Sequence, residues 1–242
     1  MSMPFYVAPE QVMKDRADYA RKGIARGRAL VAVRYAGGIA IVSENSSETL
    51  RKVSEIYDRI AFAGVGKYNE FDQLRVAGVR AADLKGFQYS RDDVDARSLA
   101  NQYAQILGQI FTHEMKPMEV EILVAEVGQT SDSDQMFHIN YDGTVVDKRD
   151  FAALGGDAAA ISTRVAESCG DRLGDSLDLS AAVSAAVAAL SGPDRTILAS
   201  ELEVALLVRG QSRRCFRRLA DDDVIAIIGE GNGAVTADSA KT

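Results

Sequence analysis

The sequence predicts an α+β fold in which two mostly antiparallel sheets stack face to face and pairs of helices cover their outer surfaces. Strand-like and helix-like segments occur in blocks and not in strand–helix–strand alternation, which argues against a parallel sheet. The strand-like segments are nearly continuous apolar runs, and such runs need cover on both faces. Residues 29–44, ALVAVRYAGGIAIVSE, form the clearest pair of runs, joined by a Gly-Gly turn typical of a hairpin.

The first half of the chain is predicted to contain a helix, four strands and two long helices. Pro9 suits the first turn of a helix, and Glu10 complements the positive end of its dipole. The N-terminal helix is therefore expected over residues 9–22, with Gly23 as its stop. The other elements expected here are the strands of the Gly-Gly hairpin, strands at 53–57 and 60–66, and helices at 68–85 and 90–114.

The second half is predicted to contain four strands, two helices, two strands and a last helix. Three aspartates at 221–223 favour the start of that last helix, expected over residues 221–228. Residues 229–242 are small and polar and are expected to form a disordered tail. We therefore expect a single domain over residues 1–228. The other elements expected are strands at 120–127, 136–141, 144–147, 151–156, 202–208 and 215–219 and helices at 157–169 and 177–190.

Composition excludes several functional classes. The chain has 242 residues and a net charge of −7, which argues against nucleic acid as a main partner. No apolar run approaches the roughly 18–20 residues that cross a bilayer, and the N-terminus lacks the basic start of a secretory signal. We therefore expect no membrane association and a cytoplasmic location. Cys169 and Cys215 are interpreted as buried, reduced thiols.

Familiar catalytic and cofactor motifs are absent from the sequence. The two histidines, His113 and His138, have no spaced partner of a metal site, so neither a metal nor another cofactor is expected. Nucleophile elbows, P-loops and dinucleotide-binding fingerprints are missing. The glycine-containing segments 64–66 and 154–157 are interpreted as places of close packing and tight turning.

Several segments together are similar to one protein family. They are YVAPEQVMKDRADYARKGIARG, VAVRYAGGIAIVSEN, LRKVSEIYDRIAFAGVGKYNEFD, LANQYAQILGQIF, and EVEILVAEV followed by a YDG turn. Over nearly all of residues 1–228 the chain resembles the α-type subunit of the bacterial, actinobacterial-type proteasome core particle. The resemblance implies the four-layer αββα sandwich of N-terminal-nucleophile hydrolases, in agreement with the block order of the elements.

The resemblance also implies a chain without proteolytic activity of its own. In related β-type subunits, propeptide cleavage exposes an N-terminal threonine whose own amine acts as the base. Alignment on the Gly-Gly turn places Arg28 at the position of that threonine, Glu44 at the supporting aspartate and Lys52 at the supporting lysine. Arg28 has no hydroxyl, its internal amide nitrogen is not a base, and no serine or threonine lies between Ser2 and Ser43. We expect no catalytic residue.

The N-terminal segment, residues 1–8, is expected to form a gate. In α-type relatives the corresponding segments of seven subunits converge over the axial pore of the ring. The gate residues implied are Ser2, Met3, Pro4, Phe5, Tyr6, Val7 and Ala8. The partners implied are other α subunits in a ring of seven, β subunits, and unfolded proteins in transit, which in bacterial relatives carry a small protein tag.

Lys52 is the residue that the resemblance assigns to activator binding. It is implied to face a pocket between adjacent α subunits and to meet the C-terminal carboxylate of an AAA ring ATPase. A partly enclosed ammonium group can bind a carboxylate by a charge-assisted hydrogen bond. The neighbouring Arg51 is a candidate to share this role. Basic residues expected to line the entrance or to pair with neighbouring subunits are Arg21, Lys22, Arg26 and Arg28.

Two other functions remain as alternatives to a non-catalytic gate and scaffold. One is an autonomous N-terminal-nucleophile hydrolase, similar to threonine proteases, that is processed to expose a nucleophile. This alternative requires the loss of a propeptide, which the intact mass of the purified chain reveals. The other is a simple binding module that stays monomeric beside its β partner.

Overall fold

The computed structural model describes residues 8–47, 49–172, 174, 176–211 and 213–238. Within these residues the order of elements is the predicted one: a helix, four strands, two helices, four strands, two helices, two strands and a helix. The helices are α1 (Pro9–Ala25), α2 (Tyr68–Gln88), α3 (Ala96–His113), α4 (Ala158–Cys169), α5 (Leu179–Ser191) and α6 (Asp221–Asp238). The strands are β1 (Leu30–Tyr35), β2 (Gly38–Glu44), β3 (Val53–Tyr57), β4 (Ile60–Gly66), β5 (Val120–Glu126), β6 (Gln135–Ile139), β7 (Val145–Lys148), β8 (Phe151–Leu154), β9 (Leu202–Val208) and β10 (Phe216–Arg218).

The strands form two five-stranded antiparallel sheets. The first has the order β10-β9-β2-β1-β8 and the second the order β3-β4-β5-β6-β7. Apolar side chains from both sheets meet in a central core, while α4, α5 and α6 cover the first sheet and α2 and α3 cover the second. The predicted α+β sandwich of four layers is confirmed.

The Gly-Gly turn joins β1 and β2 at the centre of the first sheet. Tyr35 pairs with Gly38, so the turn itself consists of Ala36 and Gly37. Gly38 has φ +142, and a Cβ atom there would collide with the carbonyl of Leu207 on β9. Glycine is required at this residue because it both completes the turn with a positive φ and lies close to the backbone of β9. Every residue of β1 and β2 is buried, as the continuous apolar runs predict.

Helix α1 is longer than the predicted helix over residues 9–22. It continues through Gly23 to Ala25, so the prediction that Gly23 ends it is wrong. The glycine serves packing instead, because a Cβ atom there would clash with the Glu119 carboxylate. The extra turn places Ile24 in the core between the two sheets, beside Ala20. Tertiary burial therefore overrides the local stop signal.

Other predicted helices also have different ends, and α2, expected over residues 68–85, continues to Gln88. The single helix expected over residues 90–114 is divided into a short 3-10 turn at Arg91–Asp93 and α3. Asp95 causes the division, because its side chain caps α3 by accepting a hydrogen bond from the Ser98 amide at 2.7 Å. Helix α6 continues to Asp238, so the expected end at residue 228 and a disordered tail starting at 229 are wrong. Residues 239–242 lie outside the described residues.

Two expectations from composition can be compared with the structure. Cys169 and Cys215 are both buried and unbonded to another cysteine, as predicted. In the described part of the chain, no helix is both long and apolar enough to cross a membrane. The extent of the domain, residues 1–228, stays a prediction.

The contact between α2 and α3 leads to a stability prediction. A Cβ atom at Gly78 would collide with the Tyr103 hydroxyl, which is buried and has no hydrogen-bond partner among the described residues. Gly78→Ala should lower the free energy of unfolding by about 1–3 kcal/mol through overpacking. Tyr103→Phe should cost little, because it removes an unpaired polar atom.

Denaturant unfolding of both variants and of the double variant measures these effects. The double variant should recover part of the stability lost in Gly78→Ala. Equal losses in the single and the double variant would show that the hydroxyl is not the source of the clash.

Candidate functional site

Three residues that the sequence singles out lie together at one end of the sandwich. Arg28 lies in the link between α1 and β1, Glu44 is the last residue of β2, and Lys52 directly precedes β3. The Lys52 ammonium donates a hydrogen bond of 2.7 Å to the backbone carbonyl of Arg28. The Arg28 guanidinium donates one of 2.7 Å to Glu44 Oε1. Residues far apart in sequence therefore form one cluster, which we call the cleft cluster.

Glu44 is the buried centre of the cleft cluster. A second arginine, Arg195 from the segment between α5 and β9, binds both carboxylate oxygens at 3.0 and 2.7 Å. Burial by itself would raise the pKa of the Glu44 carboxyl. The hydrogen bond and charge of Arg195, together with the charges of Arg28 and Lys52, hold that pKa below its usual value. Glu44 is therefore a carboxylate at neutral pH.

Lys52 lies in a different electrostatic situation. Burial, the largest cause, and the Arg28 charge together lower the pKa of its ammonium group to about 8, against the opposing charges of Glu44 and Glu203. Lys52 is consequently still mostly charged at pH 7 but close to losing its proton. An ammonium group has three N–H donors, so the bond to the Arg28 carbonyl leaves capacity for a further acceptor.

Two members of the cleft cluster, Arg28 and Glu44, line a cleft of about 550 Å³. Besides Arg28, Glu44 and Arg195, its lining includes Arg164 and Asp157. The position that the resemblance assigns to a nucleophile thus carries a guanidinium already bound to Glu44, and its nitrogen is part of a continuous chain from residue 8 to residue 47. In the lining of this cleft, cationic groups with N–H donors are more numerous than groups that can act as nucleophiles. The lining is therefore suited to bind a carboxylate.

Sequence reasoning missed Arg195. It follows the loop Ser191–Asp194, which carries no signal other than a turn composition. Nothing in the local pattern distinguishes this arginine from other surface arginines, because its role depends on a contact with Glu44 across 151 positions of sequence. A search for partners of the buried Glu44 in the folded structure finds it at once.

The gate residues can be compared with the structure only at Ala8. Ser2, Met3, Pro4, Phe5, Tyr6 and Val7 lie outside the described residues. Ala8 is exposed and extended, and its carbonyl accepts bonds from the amides of Gln11 and Val12 at the start of α1. The predicted gate therefore leads directly into a helix anchored between the two sheets.

The other basic candidates do not join the cleft cluster. Arg21 donates a 2.9 Å hydrogen bond to the Tyr141 hydroxyl and pairs with Asp18. Lys22, Arg26 and Arg51, the candidate to share the role of Lys52, are exposed.

The glycine segments have the structural roles that the sequence suggests. A Cβ atom at Gly64 would clash with the ring of Phe71, and Gly66 has φ +98. Asp157 caps α4 by accepting a bond from the Ala160 amide at 3.1 Å. Within the described residues, no group of histidine, cysteine, aspartate and glutamate is arranged to hold a metal ion.

Comparison with known proteins agrees with the resemblance. The model of the proteasome subunit family matches residues 24–192. A chain of Acidimicrobium ferrooxidans named proteasome subunit alpha is 62% identical over 236 residues, 95% of this chain and 97% of the relative. Relatives with the same name from Sanguibacter keddieii, 56% identical over 93% and 90% of the two chains, and Xylanimonas cellulosilytica, 53% identical over the whole of both, are also similar. The chain belongs to the proteasome subunit family, among its α-type members.

Proposed function

We propose that this chain is a non-catalytic subunit that forms the outer rings of a cytoplasmic proteasome core particle. Seven copies form each ring, stack on a ring of β subunits, and control the entry of unfolded proteins into the proteolytic chamber. The N-terminal segment forms the gate, and Lys52 binds the C-terminal carboxylate of an AAA ring ATPase. Family membership supports assembly with other proteasome subunits, and the geometry of the cleft cluster supports the absence of a nucleophile and the availability of the Lys52 ammonium.

The observation that carries the proposal is the state of Arg28. Hydrolysis by this fold requires a hydroxyl at that position and a free amine beside it. Arg28 provides neither, and its guanidinium is held by Glu44 at 2.7 Å. Its carbonyl is held by Lys52 at 2.7 Å. The cluster has the same fold around it as a hydrolase site, but its groups bind one another and leave no nucleophile.

Purification of the chain without a β subunit tests the absence of catalysis. The isolated chain should not hydrolyse casein, and a covalent proteasome inhibitor should not add mass to it, because no hydroxyl or free amine stands at the position of attack. Intact mass measured before and after exposure to the inhibitor is the readout, with the α/β particle as the positive control. An acylated α chain would contradict the proposal.

The gate assignment leads to a truncation experiment. Deletion of Ser2–Val7 should raise the rate of peptide hydrolysis by the assembled α/β particle, because it removes the segments proposed to close the axial pore. Ala8 and α1 stay in place in this variant, so the support between the sheets is preserved. Fluorogenic peptide cleavage by particles of verified assembly measures the rate.

A variant that lacks residues 239–242 is the matched control for terminal truncation. It should cleave the peptide at the unmodified rate. An unchanged rate after deletion of Ser2–Val7 would refute the gate assignment.

Binding of an activator carboxylate at Lys52 leads to a second experiment. Lys52→Ala should weaken ATPase docking about 10- to 100-fold, the range of one charge-assisted hydrogen bond, while cleavage of small peptides stays near normal. Docking to the unmodified particle should also weaken as the pH rises through about 8, because the ammonium group then loses its proton. Pull-down and titration of the labelled ATPase measure both effects.

Lys148→Ala is a suitable control, because Lys148 lies on β7, at the opposite edge of the second sheet from β3. It should leave docking unchanged. Docking that is equally strong with and without the Lys52 side chain would remove Lys52 from the site.

A further inference from the structure

Glu203, on β9, is a buried carboxylate outside the cleft cluster whose contacts converge on Lys52. Its side chain is 1% exposed. Oε2 accepts hydrogen bonds from the backbone amide of Lys52 at 2.9 Å and from the Asn45 side chain at 2.8 Å. Oε1 accepts one from the Val53 amide at 3.3 Å and also binds the Arg218 guanidinium. One carboxylate therefore serves four donors.

These bonds connect the two sheets at the point where Lys52 lies. Glu203 belongs to the first sheet, whereas Val53 begins β3, the strand at the edge of the second sheet, and Lys52 directly precedes it. In the pairing of the strands, β3 is bonded to β4 alone. On its other side, Glu203 binds the Val53 amide, and Arg218 donates a 2.7 Å bond to the Val53 carbonyl. The ion pair thus takes the place of a neighbouring strand.

The Lys52 backbone has little other support. The described residues 49–51 just before it have no helix or strand structure and are exposed. The Lys52 carbonyl accepts a bond from the Gly64 amide at 3.0 Å, which fixes one side of the residue. The bond from the Lys52 amide to Glu203 fixes the other side and determines where the ammonium group can reach.

We infer that Glu203 is the positioning residue of the Lys52 ammonium group, and that it fixes both the location and the charge of the group offered to a partner's carboxylate. This inference rests on the function proposed for Lys52. The Glu203 side chain itself is enclosed within the chain. It acts through the Lys52 and Val53 amides and through its negative charge, which opposes the loss of the Lys52 proton.

The pH dependence of chemical labelling measures the effect on the full-length chain. Acetic anhydride modifies only the neutral amine, so the extent of Lys52 acetylation, followed by mass spectrometry across a pH series, reports its protonation. In the unmodified chain the midpoint should lie near pH 8. Glu203→Gln should move it down by about one unit, because the negative charge that opposes the loss of the Lys52 proton is removed.

Glu126→Gln is the matched control. Glu126 is also a buried carboxylate, and it also binds an arginine, Arg59 at 2.6 Å, and a backbone amide, Ala96 at 2.7 Å. It lies on β5 and makes no bond to Lys52. Glu126→Gln should weaken the fold to a similar extent but leave the Lys52 midpoint unchanged.

A second variant guards against failure of Glu203→Gln to fold. The double variant Glu203→Gln/Arg218→Met removes both charges and leaves no unpaired buried ion. Its Lys52 midpoint should also lie below that of the unmodified chain. A midpoint equal to that of the unmodified chain in either folded variant, or an equal shift in Glu126→Gln, would overturn the inference.

Docking of the ring ATPase to assembled particles separates this inference from the proposed function. Glu203→Gln should reduce docking at pH 7.5 about three-fold, the loss of charged ammonium that a one-unit shift from about 8 implies, and the loss should diminish as the pH is lowered. If Lys52→Ala leaves docking intact, the proposed function fails, while the labelling still decides the role of Glu203. If Lys52→Ala abolishes docking and Glu203→Gln docks normally at every pH, the positioning role is wrong.

Discussion

The insertion of α1 between the ends of the two sheets is the constraint on which the rest of the site depends. Ala20 and Ile24 are buried in the core that the two sheets share. The glycines at 23 and 27 allow this approach, since a Cβ at either position would crowd Glu119 or the backbone of Gly66. Because α1 is packed in this way, the chain enters β1 from a fixed direction, and Arg28 is an internal residue held at the end of the sandwich.

Because Arg28 is held in one position, the charged groups around it bind one another. Its guanidinium binds Glu44, and its carbonyl takes the Lys52 ammonium, so one residue links the acid and the base of the cleft cluster. Arg195 completes the neutralisation of Glu44. In a hydrolase of this fold the corresponding acid and base would serve a nucleophile. Here the groups at the same positions bind one another, and the Lys52 ammonium keeps N–H donors beyond its bond to the Arg28 carbonyl.

The sequence is sufficient for the order of the elements and, by resemblance, for the assignment of Arg28, Glu44 and Lys52 to corresponding positions of one site. The Gly-Gly turn is predictable because the requirement for glycine at 38 is local: this residue has a positive φ and lies beside a neighbouring strand. The prediction for Gly23 is wrong because glycine is required there by a tertiary contact, the close approach to Glu119. Composition cannot reveal a neighbour 96 positions away in the sequence. Arg195 and Glu203 were not predicted for the same reason, since both act on groups more than a hundred positions away.

Glu203 and Glu126 have similar structural roles at places where strand pairing stops. Each is a buried carboxylate that accepts a backbone amide at the start of another element, β3 in one case and α3 in the other. Each is neutralised by one arginine, Arg218 or Arg59. A buried carboxylate without such partners would be strongly destabilising, and with them it fixes geometry more than it adds stability. At Glu126 the geometry that is fixed is the start of a helix. At Glu203 it is that of the Lys52 amide, and in our proposal the same arrangement also positions the ammonium group that binds a partner's carboxylate.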